Sequence, residues 1–179
     1  MIEAIKSRRS IRKYKNTSLD DKIILELLES ARLAPSGSNT QPWHFIIIKD
    51  QTTKARIVEA AHNQKWMLTA PVFIACVADI RVRITDNRSL CLTDQSPEEE
   101  LKKIIRDSSI AIEHIVLEAE SRGLGTCWMA WFTQQEIRPI LSIPDDKYVT
   151  AILTLGYPDE KPNPRPRKSL EQILHYEKW

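Results

Sequence analysis

The sequence predicts a layered domain of helices packed on a sheet, α/β or α+β in class. Three observations carry that reading. Near-continuous apolar runs at 43–48, 72–78 and 148–155 read as buried strands. Stretches at 18–33 and 96–122 repeat apolar residues at helical spacing. Proline, glycine and small polar residues stand between these segments. A chain of 179 residues, 42% hydrophobic and 28% charged, is long enough to bury a core as one domain over 1–179.

The elements follow in order. Residues 2–7 predict a short helix, and the densest basic cluster comes next, Arg8-Arg9-Ser10-Ile11-Arg12-Lys13-Tyr14. Such a cluster is usually a solvated arm. It also suits anion capture, because guanidinium groups meet phosphate with paired hydrogen bonds and Ser10 adds a donor. Ser18 is the expected cap of the next helix, with Ile24, Leu27, Leu28 and Ala31 inward. Pro35 closes it. The stretch from Pro35 to Trp43 is rich in hydroxyls and amides and is stiffened by Pro35 and Pro42. Alone, it reads as an ordinary helix-to-strand turn.

The first strand spans 43–48, a helix covers 52–61, and Pro71 starts the second strand, 72–78. His62 reads as a solvent-facing or capping residue. Residues 79–95 are irregular and charged, a loop or short helix over the site. Ser96-Pro97-Glu98-Glu99 reads as a helix start, with Ser96 as cap and Pro97 in the first turn. That helix runs to Arg122, about seven turns, with Gly123 just past its end. Glu113 and His114 on it read as structural, since an acid–His pair without a further ligand is no metal site. Residues 126–132 are short, apolar and aromatic, either core or a wall for a planar ligand. A short helix covers 134–141 and the third strand 148–155. The basic tail from Lys161 to Lys168 is stiffened by three prolines.

Composition excludes several classes. A net charge of +2 argues against nucleic acid. No apolar run reaches membrane-spanning length, and Lys6, Arg8 and Arg9 break any leader-like pattern. Cys76, Cys91 and Cys127 form neither a metal motif nor a disulfide framework, which fits the cytoplasm. With four glycines there is no dinucleotide fingerprint and no phosphate loop, so a phosphorylated cofactor must be held by side chains. There is no carboxylate pair, serine triad or metal cluster either. Anion capture without acid–base machinery points to a cofactor enzyme.

Arg8–Tyr14, Ala34–Trp43, Gly123-Leu124-Gly125-Thr126 and Gly156-Tyr157-Pro158, in this order over nearly the whole chain, resemble the FMN-dependent nitroreductase family. The first two motifs together are specific; the last two are weak alone. The resemblance implies a three-layer α/β/α fold of the α+β class, a mixed antiparallel sheet flanked by helices, in a domain-swapped type of homodimer. FMN would sit at the subunit interface. By similarity, Arg8, Ser10 and Arg12 hold its phosphate and ribityl chain, with Arg165 and Arg167 completing the phosphate site. Arg9 meets the flavin through its backbone. Pro35, Ser36, Gly37, Asn39 and Gln41 come from the other subunit. Asn63 contacts FMN, and Met129, Ala130 and Trp131 line the other side of the ring. The implied activity is ping-pong hydride transfer from NADH or NADPH, through FMN, to an electron-poor small molecule such as a nitroaromatic or quinone. The same fold also admits dehalogenation, dehydrogenation, flavin destruction or a non-catalytic FMN sensor. A nucleic-acid domain using Trp128 and Trp131 for stacking is a further alternative that the balanced charge disfavours.

Overall fold

The computed structural model describes residues 1–179. In chain order the elements are α1 (Glu3–Ser7), α2 (Asp21–Arg32), β1 (Trp43–Ile48), α3 (Gln51–Ala60), β2 (Val72–Asp79), α4 (Glu99–Ser121), β3 (Gly125–Met129), α5 (Gln134–Ile140) and β4 (Lys147–Gly156). Short 3-10 turns lie at Gly37–Asn39, Lys65–Thr69, Ile80–Val82 and Leu170–Gln172. The class is α+β. The strands form one sheet in the order β1-β2-β4-β3, and all three ladders are antiparallel. The parallel component is a single bridge between Ser10 and Thr126.

Strand β2 shows why its sequence is apolar without alternation. Successive side chains point to opposite faces, and both faces are covered. Val72, Ile74 and Cys76 pack with Ile24, Leu27, Ile112 and Ile115 of α2 and α4. Phe73, Ala75 and Val77 pack with Ile57 and Val58 of α3 and Ile137 of α5. Two helical layers thus sandwich the sheet.

Helix starts differ from the sequence reading. Leu19 is buried in the α2–α4 cluster, so the chain enters the core extended before it turns. The cap is therefore Asp20, not Ser18, and its carboxylate accepts the Lys22 N–H at 2.9 Å. Leu19 and Ile24 flank that cap as a hydrophobic staple. Likewise α4 begins at Glu99, not at Ser96-Pro97. The Ser96 hydroxyl instead accepts the Thr93 N–H at 2.8 Å and closes a separate turn. The far end of α4 is where the sequence puts it, with Gly123 following at φ 71°. Residues 125–129, left untyped by their sequence, are a fourth strand paired to β4.

The segment 79–95 forms a third apolar cluster against the first half of α4, where Ile80, Ile84, Leu90 and Leu92 meet Leu101 and Ile104. It is packed on a helix rather than draped over a cleft. No helix is long and apolar enough to cross a membrane.

Candidate functional site

The two basic clusters of the sequence meet. Residues 10–15 run beside β3 and the end of β4. Ile11 N–H donates to Thr126 O at 2.9 Å, Lys15 N–H to Tyr157 O at 2.9 Å, and Asp159 N–H to Lys13 O at 2.9 Å. The buried Tyr14 hydroxyl fixes the register, bonding Ile11 O and Thr154 Oγ1, both at 2.7 Å. Burial holds that phenol above its ordinary range. Gly125 permits the close approach, because a Cβ there would lie 2.7 Å from Ile11 Cγ1. Glu160 then accepts the backbone N–H groups of Arg12 and Lys13, the latter at 3.1 Å. This pairing carries the tail directly alongside the N-terminal cluster.

The result is a cleft of ≈ 500 Å³ lined by Lys6, Arg8, Arg9, Ser10, Arg12, Arg165 and Arg167, together with Ile5, Asn163 and two prolines. No carboxylate lines it. None of its five arginines takes part in an ion pair. Arg9 is partly committed, since its Nη1 donates to the carbonyls of Lys6, Ser7 and Arg8 at 2.8 Å and caps α1. The Arg12 guanidinium lies 5.6 Å over the Trp66 ring. Arg165 and Arg167 are exposed on the tail, and Arg167 bonds only neighbouring carbonyls at 3.3–3.4 Å. Repulsion among these guanidiniums is relieved by a multiply charged anion, and phosphate matches their hydrogen-bonding geometry. The donor set fits the phosphate end of a mononucleotide.

The other expected residues sit elsewhere. Pro35, Ser36, Gly37, Asn39 and Gln41 form a loop that contributes nothing to the lining of the basic cleft. Ser38, Asn39 and Gln41 have φ of 54°, 54° and 48°, a backbone region unfavourable for residues with a Cβ. Inside the loop, Ser36 Oγ accepts Gln41 N–H at 2.9 Å, which leaves the Asn39 and Gln41 side chains exposed. Asn63 is exposed at the corner after α3, also left-handed at φ 55°. Its neighbour His62 packs against Trp131 with ring centroids 4.1 Å apart and the rings tilted by 30°, a partner the sequence does not suggest. Trp131 is 65% exposed and Ala130 is exposed beside it. Met129 is different. Its side chain is buried in the α3–α5 cluster, so it is core and not a wall for a ligand. Burial pushes the Cys127 thiol up, against the pull of Arg12, as suits a buried thiol and not a nucleophile. His114 Nδ1 meets Ser30 O at 2.9 Å and ties α4 to α2.

The sequence reading missed one pair at the loop. Asp107 Oδ2 accepts Gly37 N–H at 3.1 Å, and Arg83 Nη2 donates to Gly37 O at 3.0 Å and to Asp107 Oδ2 at 3.1 Å. The available signal was a carboxylate on the buried face of a helix. Asp107 stands three residues after Ile104 and four before Ala111, both fully buried.

Known proteins resemble this chain in sequence and in fold. A Thermus thermophilus protein named NADH dehydrogenase is 30% identical over 93% of this chain and 91% of its own length. A Bacillus subtilis FMN reductase [NAD(P)H] is 27% identical over the whole chain and 74% of its own length. The structure of B. megaterium NfrA2 superposes with a TM-score of 0.86 at 27% identity, covering 99% of this chain and 74% of that one. The family pattern itself matches from Ile5 to Tyr157, a span that takes in the N-terminal basic cluster, the 35–43 loop and all four strands. The chain therefore belongs to the nitroreductase family.

Proposed function

We propose that this protein is an NAD(P)H-dependent oxidoreductase with FMN as cofactor, residues 1–179 acting as one FMN-binding domain and two copies forming each site. The observation that carries the reading is the convergence of five unpaired arginines, from both ends of the chain, on one cleft without carboxylates. The FMN reductase among its relatives supports the choice of flavin. When bound, FMN would supply hydride chemistry in two half-reactions, taking hydride from NADH or NADPH and giving it to an electron-poor acceptor such as a nitroaromatic or quinone.

The chain's own residues bind and orient. Arg8, Ser10, Arg12, Arg165 and Arg167 would neutralise the phosphate, which carries close to two negative charges. The Arg9 guanidinium is turned onto α1, leaving its backbone for the flavin. Asn63, Ala130 and Trp131 would face the ring from the same copy, Trp131 in contact with the His62 ring. The loop with Pro35, Ser36, Gly37, Asn39 and Gln41 would come from the second copy. That it lies outside the basic cleft of its own chain supports this division. Free cysteines throughout fit a cytoplasmic setting.

The purified protein should be yellow and dimeric, and NADH or NADPH should bleach it without oxygen. A colourless protein that takes up no added FMN refutes the reading. A yellow protein that neither nucleotide bleaches refutes the enzyme and leaves a flavin-binding protein.

A further inference from the structure

We infer that Arg83 and Asp107 are the positioning residues of the 35–41 loop, one ion pair that sets the loop's geometry for the flavin ring. This rests on the reading above, in which that loop meets the cofactor.

The geometry is a closed ring of three hydrogen bonds around one residue. Asp107 takes the Gly37 N–H at 3.1 Å, Arg83 Nη2 gives to the Gly37 carbonyl at 3.0 Å, and the two side chains meet each other at 3.1 Å. Both polar groups of Gly37 are thus held by one charged pair. Asp107 belongs to α4 and is buried. Arg83 closes the turn after β2, and its Nη1 is 3.6 Å from Glu100, one helical stretch before Asp107. The clamp therefore fastens the loop to the longest helix of the fold.

The loop needs an external hold. Its other hydrogen bonds are internal: Asn39 N–H to Ser36 O at 3.0 Å, Thr40 N–H to Gly37 O at 3.3 Å, and Gln41 Nε2 to Asn39 O at 3.3 Å. Three of its residues occupy left-handed backbone, which persists only where surroundings over-determine it. Gly37 is fitted to the clamp, because a Cβ there would lie 2.7 Å from Arg83 Nη2. Stability alone does not call for such a pair, since buried ion pairs are often replaceable by apolar residues at no loss. What apolar residues cannot do is bind both the N–H and the C=O of Gly37. The segment 79–95 thereby acquires a role, as the arm that delivers Arg83.

The test uses the full chain and three variants, Arg83→Met, Arg83→Lys and the double variant Arg83→Met with Asp107→Leu. The double variant leaves no buried charge unpaired and carries the test if Arg83→Met does not fold. FMN affinity is read by quenching of flavin fluorescence, loop order by hydrogen exchange of the 37–41 amides, and the cleft by inorganic phosphate binding. Arg83→Met and the double variant should weaken FMN binding and speed loop exchange by about tenfold or more, with phosphate affinity within about twofold. Arg83→Lys should recover most of both, because a single nitrogen makes both of the bonds an ammonium must replace. If the parent chain binds FMN but the double variant holds it equally well, the positioning role is wrong. Unchanged exchange in the variants overturns it too. If the parent chain takes up no FMN, the proposed function fails and this role with it, a different result from either.

Discussion

Arg12→Ala should separate cofactor binding from folding. In the folded protein the Arg12 guanidinium makes no ion pair and no hydrogen bond; its contact is the Trp66 ring at 5.6 Å. An exposed cation–π contact contributes about 0.5–1 kcal/mol. The backbone N–H of Arg12, which Glu160 accepts, survives in alanine. Loss of about 1 kcal/mol shifts the melting temperature of a chain this size by about 2–4 °C, so the apoprotein should melt within that range of the parent. Against a phosphate the same guanidinium makes charge-assisted bonds, each contributing about 1.5–3 kcal/mol. FMN affinity should therefore fall by about 10- to 150-fold. Fluorescence titration with FMN and thermal melts of the apoprotein measure the two numbers. Riboflavin, which lacks the phosphate, is the control and should bind both proteins alike. FMN affinity unchanged within about twofold, or an equal loss for riboflavin, refutes the assignment of Arg12 to the phosphate.

Phe73→Ala should cost about 3–5 kcal/mol, because Phe73 is fully buried near the start of β2 and also underlies the Lys54 ammonium at 5.4 Å; a chemical denaturation curve that moves less than a third as far refutes its place in the core. Burial opposes ionisation of Asp146, yet its bonds from Arg81 at 2.7 Å and Lys147 at 3.1 Å outweigh that and hold its carboxyl below the ordinary 3.8. A group depressed in the folded state stabilises above its unfolded value and loses that contribution as pH falls through the folded one. Asp146→Asn should then be less stable than the parent near neutrality and converge on it below about pH 4, as melts across pH would show. Trp131→Ala should leave the melt nearly unchanged, since the ring is exposed, while the KM for an aromatic acceptor rises; an unchanged KM removes Trp131 from the acceptor side.

The strands β1, β2 and β4 were legible because continuous apolar runs leave little choice of partner. Strand β3 was not, because five residues are too few for periodicity to separate strand from buried helix. Its edge position against β4 comes from pairing, a non-local fact. Both helix caps lie two residues beyond the expected serines, for a tertiary reason. Burial of Leu19 dictated where α2 starts, and a competing turn at Thr93–Ser96 took the serine that looked like the α4 cap. At the site, the cationic residues were legible by type and their convergence by resemblance. The means of convergence was not, because it rests on Tyr14, Thr154 and Glu160, each of which reads as ordinary in the linear sequence. Arg83 and Asp107 lie 24 residues apart, and only the misplaced carboxylate on the buried face of α4 advertised them.

The clamp on Gly37 also bears on how many chains make one site. A loop fastened through both of its Gly37 polar groups to α4 is not free to swing onto the basic cleft of its own chain, and it does not line that cleft. If cleft and loop are both needed, they meet across two copies. Complementation distinguishes this from a site built within one chain. One variant carries Arg12→Ala, the other Asn39→Ala with Gln41→Ala, substitutions at exposed positions that leave the core untouched. Each homodimer has two defective sites. In a hybrid dimer with sites shared across the two-fold axis, one site collects both defects and the other collects none. Random exchange makes about half of all dimers hybrid, so about a quarter of all sites regain parental FMN affinity. With sites built inside single chains, every site in the hybrid keeps one defect and no high-affinity fraction returns. Titration of the mixture before and after subunit exchange reads that fraction directly, and its absence in a mixture shown to contain hybrids rules out the shared site.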